Sequence, residues 1–173
     1  LEPRELQEAF LKQIKGLQEG GADGIVIETM SDIGEAECAL RAAQDAGVSC
    51  IVVSMTFERK KSGMVTMMGV RPEQAARHFA EQGCTCVGAN CGAGPEDMLE
   101  VVKAMKSVTD LPLWAKPNAG IPQLKEGKTV YPEGPSEMAG KLKALCEAGA
   151  RLIGGCCGTT PQHIREIAAL LRP

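Results

Sequence analysis

At 173 residues, 44% apolar and 24% charged, the chain has the balance of one globular domain able to bury a sizeable core. Its net charge of -3 gives no electrostatic reason to expect nucleic acid or an acidic membrane surface as partner. No apolar run approaches the roughly 18 residues of a spanning helix and no secretory leader is visible, so a cytoplasmic protein is expected.

In chain order, residues 3–19 read as an amphipathic helix with Pro3 in its first turn and Gly20-Gly21 as its stop. GIVIET (24–29) is a short β-branched run suited to a buried strand. Ser31 and Asp32 offer a cap for a helix over 33–46. The pattern then repeats: strand 49–55, helix 72–82, strand 85–91, helix 95–109, strand 111–117, helix 135–148, strand 151–155 and helix 161–171. A helix followed by five strand-plus-helix units predicts an α/β fold with parallel strands and a single domain over 1–173. Residues 56–71 and 118–134 are left as long connections at strand ends, where loops usually carry function. A doubly wound sheet would place a GxGxxG turn after its first strand, and ETMSDIGEA has none. A (β/α)8 barrel is the preferred architecture.

Eight cysteines in a chain with this regular patterning read as thiols, not as a disulfide scaffold. Cys38, Cys50, Cys84, Cys86 and Cys146 lie in or beside helices and strands and are expected to pack as small hydrophobes. Cys91, Cys156 and Cys157 stand at strand C-termini, where a barrel builds its mouth. Neighbouring residues of a regular strand face opposite ways, so Cys156 and Cys157 can reach one ion only if the backbone bends. The glycines of GGCCG permit that bend. Three cysteines with one open position describe a catalytic zinc site. A vicinal disulfide, a redox pair and plain packing remain as alternatives. His78 in mid-helix and His163 at the start of the last helix are poor candidates for a fourth ligand.

Glu28 ends an otherwise apolar strand, where a carboxylate is costly unless it is paired or meets a ligand. Asn118 in PNAG suits either a site or a turn. Ser54, Thr56, Asn90 and Lys116 also fall at strand ends, whereas Trp114 within a strand reads as core. Residues 58–61 (ERKK) read as a solvated tip.

Taken together, IETMSD (27–32), GANCGAGPEDM (88–98), KPNAGIP (116–122) and GGCCGTTPQHI (154–164) resemble the homocysteine S-methyltransferase family, most closely its cobalamin-dependent branch. The resemblance runs in order over essentially the whole chain. It implies a (β/α)8 barrel in which zinc held by Cys91, Cys156 and Cys157 binds the sulfur of homocysteine. It further implies that Glu28 and Asn118 hold the amino-acid head, to which position adds the backbone amides near Ser54 and Thr56. A free thiol with a pKa of about 8.5 is mostly neutral at pH 7, and a bound cation deprotonates it. The methyl donor must carry a good leaving group: a corrinoid such as methylcobalamin, a sulfonium or a betaine-type amine. The chain shows no corrinoid-binding module, so a corrinoid would reside on a separate domain or protein.

A barrel usually takes about 250 residues. With the last helix closing the barrel, the five strands match the fourth to eighth of the family pattern, and the first three βα units are absent. The expectation is therefore a partial barrel. Its alternatives are a component acting with a corrinoid protein on another substrate, and an inactive fragment.

Overall fold

Five of the six helices begin with a proline, whose fixed φ suits the first turn and whose missing N–H is not needed there. The computed structural model describes residues 2–92 and 94–171. Its first helix is α1 (Pro3–Glu19), followed by β1 (Ile25–Met30), α2 (Ile33–Asp45) and β2 (Ile51–Met55). A short hairpin, β3 (Glu58–Lys60) and β4 (Gly63–Val65), precedes α3 (Pro72–Glu81), β5 (Cys86–Cys91), α4 (Pro95–Lys106) and β6 (Leu113–Pro117). A second hairpin, β7 (Gln123–Lys125) and β8 (Lys128–Val130), leads to α5 (Pro135–Glu147), β9 (Ala150–Ile153) and α6 (Pro161–Leu171). Asp32 caps α2 as expected, its side chain accepting from the Glu35 amide at 2.8 Å.

The main sheet runs β1-β2-β5-β6-β9, every neighbouring pair parallel. Strand order follows chain order with no switch point, which excludes the doubly wound alternative. Right-handed crossovers in one direction put all the intervening helices on the same face; α1 packs beside α2, and α3, α4, α5 and α6 pack in series. The core lies between helices and sheet, with Leu40, Val53, Phe79, Val87, Met105, Leu113, Met138, Leu142 and Leu145 fully buried. No helix among the described residues is long and apolar enough to cross a membrane.

Residues of the other parity face away from the helices: Val26 and Glu28 on β1, Ser54 on β2, Gly88 and Asn90 on β5, Trp114 and Lys116 on β6. This face is concave, because Asn90 on β5 reaches past β2 to hydrogen-bond Thr29 at the end of β1. Trp114, expected in the core, sits half-buried on this face opposite Gly88. A Cβ at Gly88 would lie 2.0 Å from the Trp114 carbonyl oxygen and 2.6 Å from its Cβ. Only glycine permits β5 and β6 to approach so closely.

Both long connections hold short hairpins that the sequence pattern does not announce. ERKK is only partly a solvated tip: Lys60 pairs locally with Glu58, while Arg59 binds Asp97 and Glu100 and fastens β3 to α4. Those pairs hold the Arg59 guanidinium above its ordinary pKa.

Candidate metal centre

The end of β5 is bent where a regular strand would continue straight. Cys91 takes φ 58° and Gly92 φ 63°. A left-handed conformation in a non-glycine residue costs on the order of 1 kcal/mol and persists only where surrounding structure enforces it. A Cβ at Gly92 would lie 2.2 Å from the Phe57 carbonyl oxygen, so the turn is held tightly against the strand-end loop of β2. Its effect is to turn the Cys91 thiol toward the loop that follows β9.

That loop carries the vicinal pair. The Cys156 amide donates to the Pro117 carbonyl at 2.8 Å, and the Cys157 carbonyl accepts from the Ala119 amide at 2.9 Å. Thr159 closes the turn by donating its hydroxyl to the Cys156 carbonyl at 2.7 Å. Cys156 and Cys157 are thereby presented together, their sulfurs 4.0 Å apart, and the Cys157 sulfur lies 3.9 Å from that of Cys91. The separations are far too long for a disulfide bond of about 2.05 Å. They match the spacing of about 3.8 Å that a tetrahedral site with Zn–S bonds near 2.3 Å imposes. All three sulfurs lie within 4.8 Å of one another, and among the described residues no fourth Cys, His, Asp or Glu joins them. Cys91 and Cys156 are half-buried and Cys157 is exposed, so the cluster opens outward.

Two buried asparagines hold this geometry. Asn118 accepts from the Cys157 amide at 3.0 Å and donates to the Gly92 carbonyl at 3.2 Å, stitching the β9 loop to the β5 turn. Asn90 accepts from the Thr29 amide at 2.9 Å and the Ser54 hydroxyl at 2.7 Å, and donates to the Thr29 hydroxyl at 2.7 Å. The same amide points at the Cys156 sulfur from 3.8 Å. Asn90 is therefore a part of the site to which the sequence alone gives no role. Its signal there was a polar residue inside an apolar strand, immediately before a candidate ligand.

The chain matches the family model for homocysteine S-methyltransferase over residues 1–171. It belongs to that family. Across 97% of its length it is 34% identical to the methionine synthase of Mycobacterium leprae (strain TN), of which it spans only 14%. Its fold superposes on the apo form of the Escherichia coli homocysteine methyltransferase MmuM with a TM-score of 0.79 and 24% identity, covering 98% of this chain and 57% of that one. The metallated form of MmuM gives a TM-score of 0.74 and 26% identity, with 94% of this chain and 51% of that one covered. The five-stranded parallel sheet is thus similar to the homocysteine methyltransferase barrel.

Within this homocysteine S-methyltransferase domain the remaining candidates fall at different depths. Ser54 is fully buried, its hydroxyl committed to Asn90. Thr56 is half-buried, its amide donating to the Met30 carbonyl at 2.8 Å. Glu28 lies on the open concave face and pairs with Lys116 at 3.0 Å. The Tyr131 ring covers the loop of the vicinal cysteines: a Cβ at Gly158 would meet its Cγ at 2.2 Å. Partial burial first, and the neighbouring Cys157 sulfur next, push the Tyr131 phenol above its ordinary pKa.

Both histidines are engaged elsewhere. His163 Nδ1 accepts from the Thr160 amide at 3.1 Å, which leaves Nε2–H to donate to the Glu133 carbonyl at 3.0 Å. His78 sits 3.3 Å from Glu37 on the helix layer. Burial pushes the Cys84 thiol up to about 11 and the Cys86 thiol to about 12, which leaves both protonated and inert at neutral pH.

Proposed function

We propose that Cys91, Cys156 and Cys157 bind zinc and that the domain methylates the sulfur of homocysteine to give methionine. The observation that carries this reading is the convergence of three thiols from two strand ends at zinc-site spacing, with the fourth side open. When bound, zinc would supply a Lewis-acidic position at which an added thiol loses its proton at neutral pH. Three cysteinates keep that position electron-rich, so the substrate sulfur stays nucleophilic without a separate general base. Glu28, exposed on the concave face, receives the substrate ammonium. Asn118, Ser54 and Thr56 stand around the amino-acid head. Asn118 and Ser54 act there mainly by holding the cysteine-bearing loops, since their polar groups are already bonded to them.

The same reading places β1, β2, β5, β6 and β9 as the fourth to eighth strands of a (β/α)8 barrel, with residues 1–173 one partial-barrel domain. The sequential strand order, the edges at β1 and β9 that no described strand pairs and the 57% coverage of MmuM support it. The match to 14% of a methionine synthase leaves a large remainder of such a protein to carry the methyl donor. A corrinoid such as methylcobalamin on another domain or protein fits that arrangement, docking at the mouth opposite Cys157; a sulfonium or betaine-type amine is the donor otherwise.

Metal analysis of the full-length gene product tests the ligand set. The wild type should carry one zinc per chain, and Cys157→Ser should lose it together with homocysteine methylation. Stoichiometric zinc retained by Cys157→Ser would defeat the assignment.

A further inference from the structure

Lys116 is a charged group on the concave face that the reading above leaves without a task. It is the register partner of Asn90, and the next residue, Pro117, is the partner of Cys91. Its stem passes over Gly154, an ideal Cβ at which would lie 3.4 Å from Lys116 Cγ, and its ammonium sits 5.2 Å from the centre of the Trp114 ring. Gly154 begins the segment that bears Cys156 and Cys157, so Lys116 stands beside the metal centre, about one residue rise deeper than Cys91. Its ammonium pairs with Glu28 at 3.0 Å, the two side chains being 24% and 41% exposed. An ion pair so accessible to water is held weakly and exchanges easily.

We propose that Lys116 binds the α-carboxylate of the amino-acid substrate, resting on Glu28 until the substrate arrives. This inference rests on the homocysteine reading and names the group that recognises the second charge of the zwitterion. A substrate ammonium taking Glu28 displaces the lysine, because the two cations compete for one carboxylate. The displaced Lys116 ammonium then meets the carboxylate that the same substrate carries on the same α-carbon. One weak pair is exchanged for two, and the net charge of the site is unchanged. Trp114 and Gly154 confine the lysine stem, so the shift requires movement of only the end of the side chain. Selection follows: a thiol with only one of the two charges leaves either Glu28 or Lys116 without its new partner.

The test uses the full-length protein, cobalt-substituted so that sulfur binding is read from its charge-transfer absorbance. Its ligands are L-homocysteine and 3-mercaptopropylamine, the analogue lacking the carboxylate, measured on wild type, Lys116→Met and Lys116→Arg. Metal content shows that each variant has kept its site. Lys116→Met should weaken homocysteine by roughly 10- to 100-fold and leave 3-mercaptopropylamine within about 3-fold, the loss expected for one charge-assisted bond. Lys116→Arg should restore most of the homocysteine affinity. An unchanged preference for homocysteine over the amine in Lys116→Met overturns the role of Lys116 while leaving the homocysteine reading intact. Sulfur-to-cobalt bands of the three cysteinates that do not change on adding either thiol to the wild type overturn the homocysteine reading itself, and this inference with it.

Discussion

Asn118 shows how a single amide can set the shape of a cysteine cluster. It is 3% exposed and spends one donor on the Gly92 carbonyl and its acceptor on the Cys157 amide, so each of two cysteine-bearing loops leans on it. Asn118→Ala would leave two part-buried backbone groups without their partner, each at no more than the roughly 1–3 kcal/mol of a fully buried unsatisfied group. Metal affinity should fall by about 10- to 100-fold, the usual cost of losing a group that orients ligands, and thermal unfolding should move to lower temperature. Chelator competition on the purified variant measures the first effect; affinity within 2-fold of wild type would refute it. The PNAG motif singled out Asn118, and the strand-end positions of Cys91, Cys156 and Cys157 were legible as well. The strand-end position of Asn90 was legible too, but its role was not, because that role depends on bonds to Thr29 and Ser54 across a curved sheet. Neither sequence spacing nor strand parity gives that curvature.

At the scale of elements, the parallel strands and their helices follow from apolar runs alternating with proline-started amphipathic stretches, and their boundaries shift by only a few residues. The two hairpins escaped for a physical reason. β3, β7 and β8 are three residues long and wholly exposed, so no apolar periodicity marks them. In β7–β8 the signal was the two-residue turn Glu126-Gly127, at φ 49° and 75°, the left-handed pair that closes a tight hairpin. Just beyond it, Lys141 of α5 gathers Glu96 of α4, Glu133 of the connecting loop and Glu137 of its own helix. These contacts raise the Lys141 pKa, and Lys141 holds Glu96 below the ordinary carboxylate range. Glu133 is only 8% exposed; burial raises its pKa and Lys141 partly offsets that. Removing the lysine by Lys141→Met should raise the Glu133 pKa further. A carboxyl whose folded pKa exceeds its unfolded value destabilises the fold fully above the folded pKa, and the penalty fades as pH falls toward the unfolded pKa. Lys141→Met should therefore cost about 2 kcal/mol at pH 7, less than a fully buried pair because the lysine is partly exposed. The deficit should shrink progressively as the pH is lowered toward the carboxylate range. Denaturant titrations of wild type and variant across that span check the sign, and a deficit that grows on acidification would be the wrong one.

For the molecule as a whole, the decisive feature is a curved sheet whose described helices all lie on one side. β1 and β9 form its two edges, each with a row of backbone groups that no described strand pairs. The uncovered face shows Val26 and Leu152 at 42% and 39% exposure on those same edge strands. An open parallel edge recruits further strands, and an apolar concave face seeks cover. In a (β/α)8 barrel both needs are met at once, because closure pairs every edge and fills the interior with side chains. The proposed metal centre is indifferent to that closure, because all three of its candidate ligands lie within this chain. The proposed substrate pocket is not, since Glu28 sits on an edge strand whose outer side no described strand pairs. Residues 1–173 prepared alone should therefore self-associate and bind a hydrophobic dye, while still taking up stoichiometric zinc through Cys91, Cys156 and Cys157. The full-length gene product should bind far less dye per chain. Sedimentation and dye fluorescence on the two proteins measure this. A dye-silent monomer of 18.3 kDa would show that the five-stranded sheet is complete in itself, and would remove the barrel placement on which the pocket is built.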